Sequence, residues 1–296
     1  MNQKPSLEEL KQLCPDIDPD FLTLHATSLS IKYFSSFDDR EIQSHLNALA
    51  SLSPQKPCAL LFAEKPDSLC ECSILAFDYP GVFSLITGLL AASGFDIISG
   101  NIFTYSWIDK PRKNARRTRY YAMPGFTKLD IKKRKIIDRF TGRLDGSISP
   151  EAWKVFFEKR LSDLFTLLES NEPESIKRAK QTINEAVVEA LSEKEIKTES
   201  VLFPIQIEVD ALGSSMTKMK IISQDTPFFL YSLSNALALH DISIETVSIH
   251  TRQNRIEDEF EFVDLNGRPI TDPQKINQIK FSILFTKQFT YFLGKA

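Results

Sequence analysis

"FDYPGVFSLITGLLAASGFDIISGNIFT", residues 77–104, places an Asp-x-Pro-Gly turn at the seam between an apolar run and an amphipathic one. A looser version, "QDTPFFLYSLSNALALHDISIETVSIHT", occupies residues 224–251. The two stretches align without a gap at an offset of 147, matching Asp78 with Asp225, Pro80 with Pro227, Leu90 with Leu237, Ile102 with Ile249 and Thr104 with Thr251. Further along, "IIDRFTGRLDG" (136–146) resembles "IEDEFEFVDLNG" (256–267), pairing Asp138 with Asp258 and Phe140 with Phe260 at an offset of 120. The fall from 147 to 120 places an insertion of about 27 residues in copy one, between Thr104 and Asp138. A repeat of this length signals two copies of one supersecondary unit.

Each copy reads in the same order. "LCECSILAFD" is an apolar, β-prone strand ending at the turn. "GVFSLITGLLAASG" is a helix with Phe83, Ile86, Leu89 and Leu90 on one stripe, stopped by Gly94. "FDIISGNIFTYSW" and "KIIDRFTGRL" are the next two strands, the second closed by Asp145-Gly146. A helix follows in "SPEAWKVFFEKRLSDLFTLLE", with Ser149 as cap, Pro150 at its first position and Trp153, Phe156, Phe157, Leu161, Leu164 and Leu168 on the expected buried face. Copy two gives strand 217–224, helix 227–240, strands 242–251 and 255–264, and a last helix over 272–292. The order βαββα needs one more strand to complete a ferredoxin-like βαββαβ unit. For copy one the candidate is "FPIQIEVDAL" (203–212); for copy two the closing strand is expected to be missing, leaving an edge to be covered or shared. The expected class is α+β: residues 1–68 a helical segment, 69–212 the first ferredoxin-like unit with a basic insertion at 107–135 and a linker helix at 173–195, and 213–296 the second unit.

The composition suits a globular chain: 42% of the 296 residues are hydrophobic and 25% charged, enough for two modest cores. A net charge of −3 gives no global pull toward nucleic acid or an anionic membrane. No apolar run reaches the length of a membrane helix, and the first residues do not read as a signal peptide. Cys14, Cys58, Cys70 and Cys72 read as reduced thiols, which fits the cytoplasm.

The Asp-x-Pro-Gly turn, the Gly-x-Asp-Ile helix exit at 94–97, the Ile-Phe-Thr strand at 102–104 and the Asp-x-Asn-Gly-Arg turn at 264–268 resemble tandem ACT domains. These are regulatory modules that sense small molecules, usually amino acids. The pattern is similar to the C-terminal ACT pair of bacterial nitrogen-signalling uridylyltransferases and to the ACT region of large NAD-specific glutamate dehydrogenases. It covers roughly residues 69–293 outside the insertion and linker helix, and residues 31–52 resemble the segment preceding that pair. The resemblance implies an effector beside the first turn, often across an interface between two units. A helix N-terminus there suits a carboxylate, and Asp78 suits an α-ammonium. The candidate ligand set is Asp78, Tyr79, Pro80, Gly81, Val82 and Asn101, with Asp225, Pro227 and Phe228 as a weaker second corner because Phe228 and Phe229 fill it. The plainer reading is that Asp78 caps the helix, Pro80 fixes the turn and Gly81 relieves a clash.

Other chemistry is sparse. The insertion carries Arg112, Lys113, Arg116, Arg117 and Arg119 among tyrosines, which reads either as a patch for an anionic macromolecule or as a solvated loop. No RNA-binding signature accompanies it, and nucleic acid is not an expected partner. His25, His45, His240 and His250 lie in unrelated elements without metal-ligand spacing. No Walker loop, nucleophile elbow or dinucleotide fingerprint is present, and neither the Gly-Ser/Asp-x-Asp loop nor the His-Asp metal motif of the family's catalytic domains occurs. The expectation is a regulatory sensor rather than an enzyme, with no cofactor or metal, acting on a partner in nitrogen or amino-acid metabolism. The alternative is a binding module whose basic insertion engages an anionic macromolecule. Whether the units pair within one chain or across a homodimer stays open.

Overall fold

The computed structural model describes residues 4–106, 133–146, 148–192, 205–211, 215–253 and 255–293. Four helices come first: α1 (Leu7–Leu13), α2 (Pro19–Ser28), α3 (Ile31–Ser36) and α4 (Asp39–Ala50). Capping boxes at Ser6/Glu9 and Asp38/Glu41 start α1 and α4. Copy one follows as β1 (Cys58–Lys65), β2 (Leu69–Phe77), α5 (Val82–Ala92), β3 (Phe95–Thr104), β4 (Lys135–Leu144) and α6 (Pro150–Glu169). After α7 (Pro173–Ser192), copy two repeats the order as β5 (Gln206–Asp210), β6 (Thr217–Gln224), α8 (Phe229–Ala238), β7 (Ile242–Arg252), β8 (Arg255–Asp264) and α9 (Pro273–Leu293).

The eight strands form one sheet, β1-β2-β4-β3-β7-β8-β6-β5, antiparallel at every pairing. Each half has the ferredoxin-like strand order, but its outer strand comes from before the repeat and not after it. Three expectations are corrected here. Residues 1–68 are not helical throughout, because Cys58–Lys65 forms a strand joined to β2 through Asp67 and Ser68, both at positive φ. Residues 206–210 pair with β6 and so belong to copy two, not copy one. Copy two therefore lacks no strand, and β6 is not an edge. The physical reason is chain order: a strand directly preceding its partner closes a hairpin, while one arriving after α6 and α7 has further to travel.

A local twofold relates the copies. At the seam β3 pairs with β7 in the register Asn101↔Ser248, and these two residues are each other's repeat counterparts at the offset of 147. On the helical face, Thr87 Oγ1 lies 3.2 Å from Ser234 Oγ, again a residue and its counterpart. Equivalent residues touch each other only on the axis of an isologous interface.

Helices α5–α9 cover one sheet face over a continuous core. The other face differs between the halves. On copy one, Leu75, Phe77, Phe103, Tyr105 and Ile137 pack under α1–α4, so β4 is buried on both sides. On copy two, β8 alternates buried and exposed, and Lys218, Lys220, Glu257 and Glu259 line the face that α1–α4 leave uncovered. Along α6, Trp153, Phe157, Leu161, Leu164 and Leu168 are buried as expected, but Phe156 is exposed and Phe165 takes its place on the other edge of the stripe.

α7 is more than a surface connector. It seats Ala179, Ile183, Val187 and Leu191 on the helical core, and Asn184 accepts a hydrogen bond from Tyr231 of α8. Gly88 lets these elements meet: a Cβ there would lie 2.6 Å from Tyr231 Cδ2 and 2.7 Å from Ile183 Cγ2. Gly88→Val should push α5, α7 and α8 apart and cost about 1–3 kcal/mol. Urea denaturation checks this, and an unchanged midpoint would contradict the packing.

Candidate functional site

The copy-one corner forms where β2 ends. Asp78 donates its N–H to Arg134 O at 2.9 Å, and Val82 N–H closes the turn on Tyr79 O at 2.9 Å. Gly81 is the N-cap of α5 at φ 78° and brings no capping side chain of its own. Its backbone angle, not crowding, favours glycine, since a Cβ would meet Ala238 Cβ at an ordinary 3.6 Å. The corner thus abuts the end of α8 in copy two. Pro80 is exposed, whereas Val82 is a core residue.

The polar side chains of this corner are engaged. Tyr79 donates its hydroxyl to Glu169, which also holds Lys133 Nζ at 2.5 Å. Asp78 Oδ2 lies 3.3 Å from Arg134 Nε. Burial pushes the Asp78 carboxyl up and the guanidinium pulls it back. Asn101 sits elsewhere: its Oδ1 accepts from Arg139 Nη2 at 2.8 Å, and Arg139 reaches Glu41 of α4 and stacks 4.3 Å from the Phe37 ring. It therefore faces the N-terminal helices, and the structure does not bring it to Gly81.

The copy-two corner repeats the backbone with different chemistry. Phe228 occupies the N-cap at φ 60°, the conformation of Gly81, at a cost of about 1–2 kcal/mol for a residue with a Cβ. Its side chain is buried. Asp225 is pushed up to about 6, first by burial and then by Asp96 of copy one. Lys287, buried on α9, donates to Ser223 Oγ and to Gln224 O and is pulled down to about 8 by burial. Pro227 is partly buried.

Sequence reasoning registered the repeated aspartates of β4 and β8 only as matches. Both are buried: Asp138 is raised well above the usual range by desolvation, and Asp258, which accepts from His250 N–H at 3.2 Å, is raised to about 7. Their recurrence inside apolar strand runs was the available signal. Arg134 read only as one more cation of the basic insertion, and Ser243 and Glu245 were missed outright. Arg112, Lys113, Arg116, Arg117 and Arg119 lie outside the described residues, but the segment leaves at Ser106 and returns at Lys133, beside the first corner. Among the described residues no cluster of three His, Cys, Asp or Glu has metal-ligand geometry, and no helix is long and apolar enough to cross a membrane. The four cysteines are buried free thiols.

Fold and corners define an α+β chain of two fused, pseudo-symmetric ferredoxin-like units with unequal corners. It is 25% identical over 218 residues to the bifunctional uridylyltransferase/uridylyl-removing enzyme of Azospirillum brasilense, covering 73% of this chain and 20% of that protein. It is 29% identical over 178 residues to the enzyme of the same name from Ralstonia nicotianae, covering 57% of this chain and 19% of the relative. A third, from Pseudomonas syringae pv. syringae, is 24% identical over 123 residues, 38% of this chain and 14% of its own. The chain thus spans a fifth or less of these relatives. No family model and no solved structure matches it.

Proposed function

We propose that the chain is a non-catalytic regulatory sensor that binds a small metabolite, an amino acid, at the copy-one corner and modulates a partner in nitrogen or amino-acid metabolism. The observation that carries this reading is the pair of matched corners, one with the glycine Gly81 at the helix N-cap and the other with the buried Phe228 at the same place. The positive dipole end at the start of α5 suits a carboxylate, and Asp78 supplies an acceptor for an ammonium. Similarity to part of bifunctional uridylyltransferase/uridylyl-removing enzymes supports a role in the same regulatory context.

A ligand held at about a hundred times its Kd adds about 2.7 kcal/mol to the folded state. Thermal-shift measurements on the full chain with the proteinogenic amino acids, one at a time, should therefore reveal at least one that raises the melting temperature. Asp78→Asn should abolish the rise. No rise with any of them removes the proposal.

A further inference from the structure

Arg134 joins the two copies at the first corner. It precedes β4 at the root of the insertion, and its side chain is only 8% exposed. Nε faces Asp78 Oδ2 at 3.3 Å in copy one, while Nη1 donates to Ser243 Oγ at 3.0 Å and Nη2 to Glu245 Oε1 at 2.8 Å in copy two. One guanidinium fork thus engages a carboxylate from each copy in a largely dry setting, where such contacts are strong and costly to leave half-made.

The repeat shows how this bridge arose. The β7–β8 register shifts between Ile244 and Thr246, so Glu245 is the extra residue of a β-bulge. The β3–β4 register shifts between Ile97 and Ser99, and the extra residue there is Ile98, the counterpart of Glu245 at the offset of 147. Both copies kept the bulge, but copy two alone put an acid on it, and that acid meets the arginine beside the glycine corner.

We propose that Arg134 couples occupancy of the copy-one corner to the tie between the copies. This rests on the reading that Asp78 receives an effector's ammonium. The ligand's cation and the guanidinium then contend for one carboxylate, and binding moves Arg134 from Asp78 toward Glu245 and Ser243. By linkage, whatever strengthens the hold of Arg134 on Asp78 weakens the ligand, and whatever weakens it helps the ligand.

The test uses the full chain and two variants with opposite expected signs, titrated calorimetrically with the proteinogenic amino acids one at a time. Arg134→Gln frees Asp78 and should tighten binding at least about fivefold. Glu245→Gln deprives the guanidinium of its copy-two carboxylate, concentrates it on Asp78 and should weaken binding by a similar factor. Should Arg134→Gln fail to fold, Glu245→Gln, which keeps side-chain size and an acceptor for Nη2, carries the test alone. Binding to the unmodified chain with unchanged affinity in the folded variants, or shifts of the same sign in both, overturns the coupling and leaves the effector reading standing. Absence of binding in all three proteins overturns the effector reading and the coupling with it.

Discussion

Trp153→Ala should lower stability by about 3–5 kcal/mol, the range for removing a large buried aromatic side chain. Trp153 is fully buried at the start of α6. Its ring stacks on Phe157 at 4.5 Å and lies 5.3 Å from Phe95 and 5.4 Å from Phe62, so it ties α6 to the beginning of β3 and to β1. Its Nε1–H donates to Ser93 O at 2.7 Å, at the C-terminus of α5. Truncation would leave both a cavity and a buried carbonyl without its donor, and the two costs reinforce each other. Trp153→Phe refills much of the volume and should cost clearly less. Urea denaturation of both variants separates the contributions. A loss under about 1 kcal/mol for the alanine variant would mean that β1 and the Ser93 turn are held by something else.

The second large effect is a loss of the N-terminal helical layer in acid. His25 is fully buried between α2 and the sheet, with Nδ1 2.7 Å from the Tyr105 hydroxyl and Tyr33 and Phe34 against its ring. Burial, then the neighbouring His45, pulls its pKa down to about 3. Burial, then Arg139, pulls His45 down to about 4. A base whose folded pKa lies below its unfolded 6.5 contributes stability that is complete above 6.5 and is lost as pH falls toward the folded value. At 1.36 kcal/mol per unit, the His25 contribution is at most about 5 kcal/mol. Asp258, raised to about 7, acts with the opposite sign, losing stability as pH rises from 3.8 toward 7. Comparison with a variant isolates the histidine. His25→Phe combined with Tyr105→Phe replaces both partners by apolar groups and should make the acid limb shallower, leaving the part due to His45. Amide protection in α1–α4, taken relative to the intrinsic exchange rate at each pH from neutral to about pH 4, should fall in the unmodified chain and fall less in the variant. An equal fall in both would remove His25 as the cause.

Much of the frame was legible before any coordinates. The offset of 147 marks equivalent elements, and the caps at Ser6, Asp38 and Ser149 fall where side-chain chemistry puts them. The strand β1 was hidden because Pro66-Asp67-Ser68 lacks the Asn-Gly or Asp-Gly signature of a tight hairpin, although Asp67 and Ser68 both take positive φ. The allegiance of β5 was hidden because a five-residue strand with alternating polarity can pair with either repeat on pattern alone. Phe156 and Phe165 were misassigned because a helix rich in apolar residues admits two adjacent stripes, and only the surrounding packing selects one. The backbone of the corner was readable from Asp78 to Gly81, but its wiring was not. Arg134 looked like one more cation in a basic run, and Glu245 like an ordinary residue of a β-prone stretch. Their meeting is made by the local twofold, which leaves no trace in either segment alone.

That twofold sits inside one polypeptide, with Asn101 facing Ser248 across the seam. Association of the halves is therefore first-order: dilution does not separate them, and the register is found without a search in solution. Two identical subunits would have to change both corners whenever they changed one. Fusion lifts that constraint, so a phenylalanine can stand at position 228 while position 81 remains glycine.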